Sequence, residues 1–372
     1  MTERPIALAA GGTGGHLFPA EALAQELKRR GWRVLLVTDS RGARYAEDFP
    51  ADARFEISTA SPSIGGIVAK TTAAFSIAGG LAVALREFGR RKPAAAVGFG
   101  GYPSTPAMLA AALRGVPYGV HEQNGVLGRA NRLVVGKARF VAHAFPVLDR
   151  LPAKARAKAR EVGNPVRDAV AALEGAAFTP PAANGPINLL VFGGSQGASI
   201  FSRTLAKTIP ALPEEIRRRL SIVHQVREDD LADMRRVYQE AGVIHKAAPF
   251  FPDLPQRIAD AHLVIARAGA STVTELSVIG RPSILVPLAI AMDDHQAGNA
   301  RVLSEAGAAI VLPEKALTDE GLRGALEPLL TAPERLAQMA AAARGCVKRG
   351  AAAALADLVE GIAWPDNARK DM

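Results

Sequence analysis

Very little in this sequence points to a covalently stapled, metal-bound or membrane-spanning protein. The 372 residues include one cysteine, Cys346, so no disulfide can close within the chain, no cysteine cluster can hold a metal, and a reducing compartment is favoured. Aromatic side chains make up only 5%, too few for the aromatic-studded basic platforms on which single-stranded nucleic acid stacks. The best candidate for a spanning helix, Thr71 to Leu85, is an uncharged stretch of 15 residues, against the roughly 20 needed to cross a bilayer. The N-terminal apolar run, Ile6 to Ala10, is shorter than a signal-peptide core. No G-x-x-x-x-G-K-[ST] phosphate loop occurs, and a dinucleotide G-x-G-x-x-G counted from Gly12 fails at Leu17. His121-Glu122 opens no zinc motif, because Gly125 stands where the second histidine would be. Glu228-Asp229-Asp230 and Asp293-Asp294 read as helix starts, where acids suit the dipole, so no bound metal is expected.

What is present is the composition of a folded protein: 49% hydrophobic and 22% charged residues, with mean hydropathy +0.10. The length favours two domains. Charge is unevenly shared. Residues 1–165 carry 23 basic and 12 acidic side chains, a balance of +11, while the remainder is at −2. A one-sided basic field favours an anionic partner.

Short β-like runs alternate with amphipathic helical stretches along the chain. Pro5 to Ala10 reads as a strand and Pro19 to Arg30 as a helix ended by Gly31. The series restarts at Ile187 to Phe192, after the breaker-rich segment Thr179 to Pro186. Such alternation implies parallel sheets covered on both faces, hence two doubly wound α/β domains.

Ligands of such sheets sit beyond the carboxyl ends of strands, and three glycine-rich turns fall there. They are Gly11-Gly12-Thr13-Gly14-Gly15-His16, Gly98-Phe99-Gly100-Gly101-Tyr102 and Gly193-Gly194-Ser195-Gln196-Gly197. Glycine lets backbone approach a ligand, and a following helix start offers N–H groups to an anion. Thr272-Val273-Thr274-Glu275 reads first as a capping box. Its alternative is a carboxylate that accepts ribose hydroxyls. His121-Glu122-Gln123-Asn124 is expensive to bury without a ligand or a dense hydrogen-bond network. His16 and Glu122 are the candidate general bases, a choice the residues leave open, with histidine's ordinary pKa of about 6.5 suited to proton transfer near neutrality. The stretch Ile67 to Lys92 sets Phe75, Leu81, Val83, Leu85 and Phe88 beside Lys70, Arg86, Arg90, Arg91 and Lys92. It reads as a core-facing helix or as an apolar face with a basic rim at a membrane surface.

These three turns, with His121 to Gly125, Gly163-Asn164-Pro165-Val166-Arg167 and Gly269 to Glu275, recur together and in this order in one known family. From about Ile6 to Leu312 the chain resembles the MurG family of N-acetylglucosaminyltransferases, which make lipid II for peptidoglycan. The resemblance implies a GT-B fold, two Rossmann-like doubly wound domains with an interdomain cleft. It implies a membrane-facing acceptor domain at 1–165, a UDP-GlcNAc domain at 166–340, and C-terminal helices at 341–372 that pack back toward the first. It assigns the donor to Thr13, Gly14, Gly15, Asn124, Arg167, Ser195, Phe251, Ala270, Ser271, Thr272, Val273, Thr274, Glu275 and Gln296. The acceptor, lipid I, falls to Gly100, Gly101, Tyr102, His121 and Asn131, and catalysis to His16 and Glu122. Ala268 and Ser202 depart from the family pattern, where serine and asparagine are expected.

The expected reaction is metal-independent transfer, with inversion, of GlcNAc from UDP-GlcNAc to the C4 hydroxyl of the muramyl sugar of lipid I. No cofactor and no nucleic acid is expected. The implied partners are UDP-GlcNAc, lipid I, an anionic membrane surface and other cell-wall synthesis proteins. The implied location is peripheral, on the cytoplasmic face of the inner membrane. The alternatives are another GT-B enzyme, such as a lipid glycosyltransferase or a UDP-GlcNAc 2-epimerase, and a non-catalytic sugar-nucleotide or nucleic-acid binder.

Overall fold

β1 (Ile6–Ala9) is buried along its whole length, as are β2 (Val34–Thr38), β4 (Ala95–Gly98) and β5 (Tyr118–Glu122). Runs of Val, Leu and Ala without polar alternation suit strands covered on both faces. β3 (Ala53–Glu56) alternates half-buried and exposed residues, the pattern of an edge. With β6 (Val141–His143) and β7 (Ala159–Glu161) these make a seven-stranded parallel sheet in the order β3-β2-β1-β4-β5-β6-β7. The computed structural model describes residues 4–12, 14–43, 48–57, 67–194, 199–289 and 294–364, and the backbone alone over 67–75.

The second sheet has the same winding. β8 (Ile187–Phe192), β9 (Leu220–Gln225), β10 (Ile244–Ala248), β11 (Leu263–Ala266), β12 (Ser283–Leu285) and β13 (Ala309–Val311) pair in parallel in the order β10-β9-β8-β11-β12-β13. In both sheets strand order reverses beside the first strand, between β1 and β4 and between β8 and β11. A crevice opens at such a reversal beyond the strand ends, which is where doubly wound sheets take ligands.

The chain forms two compact units. The first runs as far as Asp168 and resumes at Lys348, and the second is Ala169–Val347. The second unit packs around one large cluster that includes Leu189, Phe201, Ile222, Tyr238, Ile265, Leu322 and Leu336. The first has a core on each face of its sheet. One face is packed by Leu17, Leu23, Trp32, Phe99 and Phe140 together with Leu355, Ala356 and Val359 of the last helix, Ala351–Ala363. That helix lies on the Gly14–Arg29 helix and against β4 and β5. Polar contacts fix it there. Arg30 binds Asp357 and Glu360 at 2.7 Å each, and the Trp32 indole N–H donates to Glu360 at 2.8 Å. Trp32 also meets Trp364 with ring centroids 5.0 Å apart. The Pro333–Ala343 helix stays in the second unit.

On the other face, Phe88 is 1% exposed and packs edge-on to Phe55. Phe88 therefore belongs to the core and corrects the reading that put it on a membrane face. Arg90 and Arg91 bind Glu87 of their own helix. The side chains of Lys70 and Phe75 lie outside the described residues.

The first helix departs from its expected start. It begins at Gly14 and carries Pro19 inside it. Leu17, 1% exposed, buries the turn ahead of the proline, and this packing outweighs the hydrogen bond that proline cannot donate.

Candidate active site

At the reversal of the first sheet, the turn after β1 faces the turn after β4. Gly12 takes φ +85°, and its N–H donates to Asp39 at 2.9 Å. The same carboxylate oxygen accepts from the Gly42 N–H, and the other pairs with Arg41. Asp39, 3% exposed just past the end of β2, thus braces the first glycine-rich turn. Sequence reasoning passed over it, although an acid beyond the carboxyl end of the strand next to a reversal is the available signal. Gly101, at φ +74°, has a backbone conformation few L-residues adopt, and a Cβ there would lie 2.9 Å from the Gly11 carbonyl. A Cβ at Gly100 would lie 3.2 Å from the His16 ring. The two turns therefore touch through glycine, and the His16 imidazole rests on them half-exposed.

β5 delivers His121-Glu122-Gln123-Asn124 to the same end of the sheet. Glu122 is 2% exposed and accepts four hydrogen bonds. They come from the N–H and side-chain amide of Asn124, the Gly128 N–H at 2.8 Å and the Asn131 side-chain amide at 2.9 Å. It ties down the loop and helix that follow. His121 is wholly buried: one ring nitrogen bonds the Gly163 carbonyl at 3.0 Å and the other Gln123 at 3.2 Å. Both ring nitrogens are thus engaged within the first unit. Burial pushes its pKa down to about 4, the nearby His143 adds to that, and the bond to Gly163 opposes it. Gln123 also meets His16, at 3.2 Å. Asn131 is 1% exposed, while Tyr102 is half-buried. The Arg167 guanidinium stacks over Phe18 at 3.9 Å. Gly14 and Gly15 open the first helix, and Thr13 lies outside the described residues.

At the reversal of the second sheet, β11 leads through Arg267, Ala268 and Gly269 into the helix Ala270–Ile279. Gly269 is its N-cap, and no side chain caps it. Thr272 sits inside the first turn, so the expected capping box does not form. Ala270, Ser271 and Thr272 open that turn, where backbone N–H groups lack helical partners, while the Val273 N–H already donates to the Gly269 carbonyl at 2.9 Å and Thr274 Oγ1 donates to the Ala270 carbonyl. Glu275 follows, 7% exposed. Arg267 pairs with Glu314 at 2.8 Å beside the Phe201 ring. Gln296 holds the Leu288 N–H at 3.0 Å. Phe251 is buried under the Arg257 guanidinium, whereas Phe250 is 71% exposed. Ala268 is buried, and its carbonyl accepts from Asn299. Ser195 lies outside the described residues, as does Asp293. Asp294 is the exposed N-cap of the helix His295–Glu305.

Two family profiles match the chain. The glycosyltransferase family 28 N-terminal domain covers residues 6–143, and the glycosyltransferase family 28 C-terminal domain covers 188–359. A UDP-N-acetylglucosamine–N-acetylmuramyl-(pentapeptide) pyrophosphoryl-undecaprenol N-acetylglucosamine transferase of Phenylobacterium zucineum is 49% identical over 95% of this chain and 97% of its own. The protein of the same name from Chelativorans sp. is 48% identical over 98% of this chain and 96% of its own. Among solved structures, Acinetobacter baumannii MurG superposes with a TM-score of 0.76 at 30% identity, over 96% of this chain and 99% of that one. A putative UDP-N-acetylglucosamine 2-epimerase from Listeria monocytogenes, at 14% identity and TM-score 0.64 over 97% of this chain and 96% of that one, shares the fold.

Proposed function

From its membership of glycosyltransferase family 28, to which the chain belongs, we propose that it transfers N-acetylglucosamine from UDP-N-acetylglucosamine to undecaprenyl-diphosphate-linked N-acetylmuramyl-pentapeptide. The observation that carries this reading is 49% identity, along 95% of the chain, to a transferase of that name. Two doubly wound units of the GT-B class suit the chemistry. In the second unit, the N–H groups of Ala270, Ser271 and Thr272 and the dipole of their helix take the diphosphate, and Glu275 takes the ribose hydroxyls. As the glycosidic bond breaks, charge grows on the departing diphosphate, and pre-aimed donors stabilise it by typically ~3 kcal/mol each. In the first unit, His16 accepts the proton of the muramyl C4 hydroxyl as that oxygen attacks C1 from the face opposite UDP. Glu122, its lone pairs filled by four donors, anchors Asn124, which serves the sugar-nucleotide donor, and Asn131, which serves the acceptor. His16→Ala is expected to lose about 10²- to 10⁴-fold in kcat.

The test combines purified protein, UDP-N-acetylglucosamine and a lipid-linked acceptor in the presence of EDTA. Acceptor-dependent UDP release is expected. Turnover of UDP-N-acetylglucosamine without any acceptor would move the chain to the epimerases that share its fold, and no turnover of either kind defeats the proposal. Because the acceptor's lipid stays in a bilayer, the enzyme works at a membrane surface, and no helix among the described residues is long and apolar enough to cross one. The basic first half of the chain supports that placement.

A further inference from the structure

One run of hydrogen bonds in the first unit has a direction fixed by chemistry alone. The Gly163 carbonyl can only accept, so His121 Nε2, 3.0 Å away, carries a proton. The His121 ring is wholly buried and neutral, so its Nδ1 presents a lone pair. Gln123 must therefore turn its amide nitrogen to that atom, at 3.2 Å, and the same NH2 group reaches the His121 carbonyl at 3.4 Å. Its carbonyl oxygen is left facing His16 Nδ1, at 3.2 Å. A carbonyl accepts only, so His16 Nδ1 is the donor. The opposite amide orientation would set an oxygen against two acceptors, which excludes it.

We propose that Gln123 and His121 are positioning residues that select the tautomer of His16, with the proton on Nδ1 and the lone pair on Nε2. Among the described residues the proton-accepting nitrogen then has no hydrogen-bond partner, and the base needs no rearrangement before it acts. Gly163 is the fixed end of the relay. It belongs to the Gly163-Asn164-Pro165 turn, and a Cβ there would lie 2.7 Å from the Lys348 carbonyl, so its place is tightly set. The use of the lone pair rests on the transferase reading. The tautomer does not.

The experiment labels the full chain with ¹⁵N-histidine and reads which His16 nitrogen is protonated, alongside kcat and KM across pH for the wild type, Gln123→Met and Gln123→Glu. The wild type is expected to show Nδ1–H. Methionine fills the same space without hydrogen bonds, so Gln123→Met should release the tautomer and lower kcat at least about tenfold, with KM for UDP-N-acetylglucosamine little changed. Gln123→Glu retains an acceptor for Nδ1–H. Its second oxygen faces the His121 Nδ1 and carbonyl, both acceptors. It should therefore recover only part of kcat, at some cost in stability, and shift the acid limb of the kcat profile to higher pH, because a neighbouring carboxylate favours the imidazolium. Nε2–H in the wild type overturns the proposal, as does Nδ1–H that persists with normal kcat in Gln123→Met. If Gln123→Met fails to fold, the wild-type tautomer and the Gln123→Glu limb decide. A wild type with Nδ1–H but no transferase activity would defeat the functional reading and leave the relay standing.

Discussion

Glu122 accepts four hydrogen bonds while 2% exposed, and glutamine in its place would turn an NH2 group toward one of two donor pairs. Glu122→Gln should cost about 1–3 kcal/mol of stability in urea unfolding of the whole chain, and more activity than Asn131→Ala, which removes one of the four donors. Full stability in Glu122→Gln would show that the loop is held by other contacts. Gly119 is a packing case. A Cβ there would fall 2.2 Å from the Phe140 ring, which is itself 4% exposed in the core. Gly119→Ala should destabilise by about 1–3 kcal/mol with the ligand sites untouched. The sequence showed that His121 to Asn124 needed either a ligand or a dense network, and the structure supplies the network. It could not show the partners, because Gln123 meets His16 across 107 residues of chain and Gly163 follows His121 by 42. Asp39 escaped notice for the same reason, since its partner Gly12 lies 27 residues earlier.

Elements were legible where periodicity and punctuation agreed. The buried runs of β1 and β8 stand where strand-to-helix alternation placed them. Helix starts were less legible, because tertiary burial decided them. Leu17 carried the first helix past Pro19, and Gly269 capped its helix ahead of Thr272, so the motif that looked like a cap lies one turn inside. The last helix shows what local signals leave out: nothing in Ala351–Ala363 names its partners, yet Glu360 joins Arg30 and Trp32 at once. Glu360→Ala removes both bonds and leaves a partly buried guanidinium with fewer anions. It should lower stability by about 2–3 kcal/mol in thermal or urea melts. Asp357 is 70% exposed in the same cluster, and its loss should cost well under 1 kcal/mol. Equal effects at the two positions would mean that Trp32 and Arg30 do not depend on Glu360.

In each unit burial keeps a histidine neutral, His121 in the first and His224 in the second, and both bear on the response to acid. Burial holds His121 at about 4 and His224 at about 3, with Asp230 pulling His224 the other way. Between those values and the ordinary 6.5 the unfolded chain binds protons that the folded chain refuses, so stability falls as pH drops through that window. The size for His121 alone is about 3 kcal/mol. Urea midpoints measured from pH 7 to 4 should decline, less steeply in His121→Asn and His224→Asn. A flat profile would mean that neither ring stays neutral. At the surface, Val83 is 42% exposed on the Ile67–Arg91 helix and Leu113 66% exposed at the end of Ser104–Leu113. Arg86, Arg90 and Arg114 are exposed on the same two helices or next to their ends. Each basic residue near anionic lipid contributes about 1 kcal/mol, so replacing the three with Gln should weaken vesicle binding by about a hundredfold. Turnover of a short-chain soluble acceptor should stay intact, and unchanged vesicle co-sedimentation would move the contact to another face. The return of the last helix to the first unit also sets a timetable. A ribosome makes residues 169–347 before Ala351–Ala363 exists, roughly 10–40 s at ordinary rates of synthesis. The half of the enzyme that is born first is therefore finished last, and any chain interrupted before that helix leaves the tunnel with the groove for Leu355 and Val359 open to water.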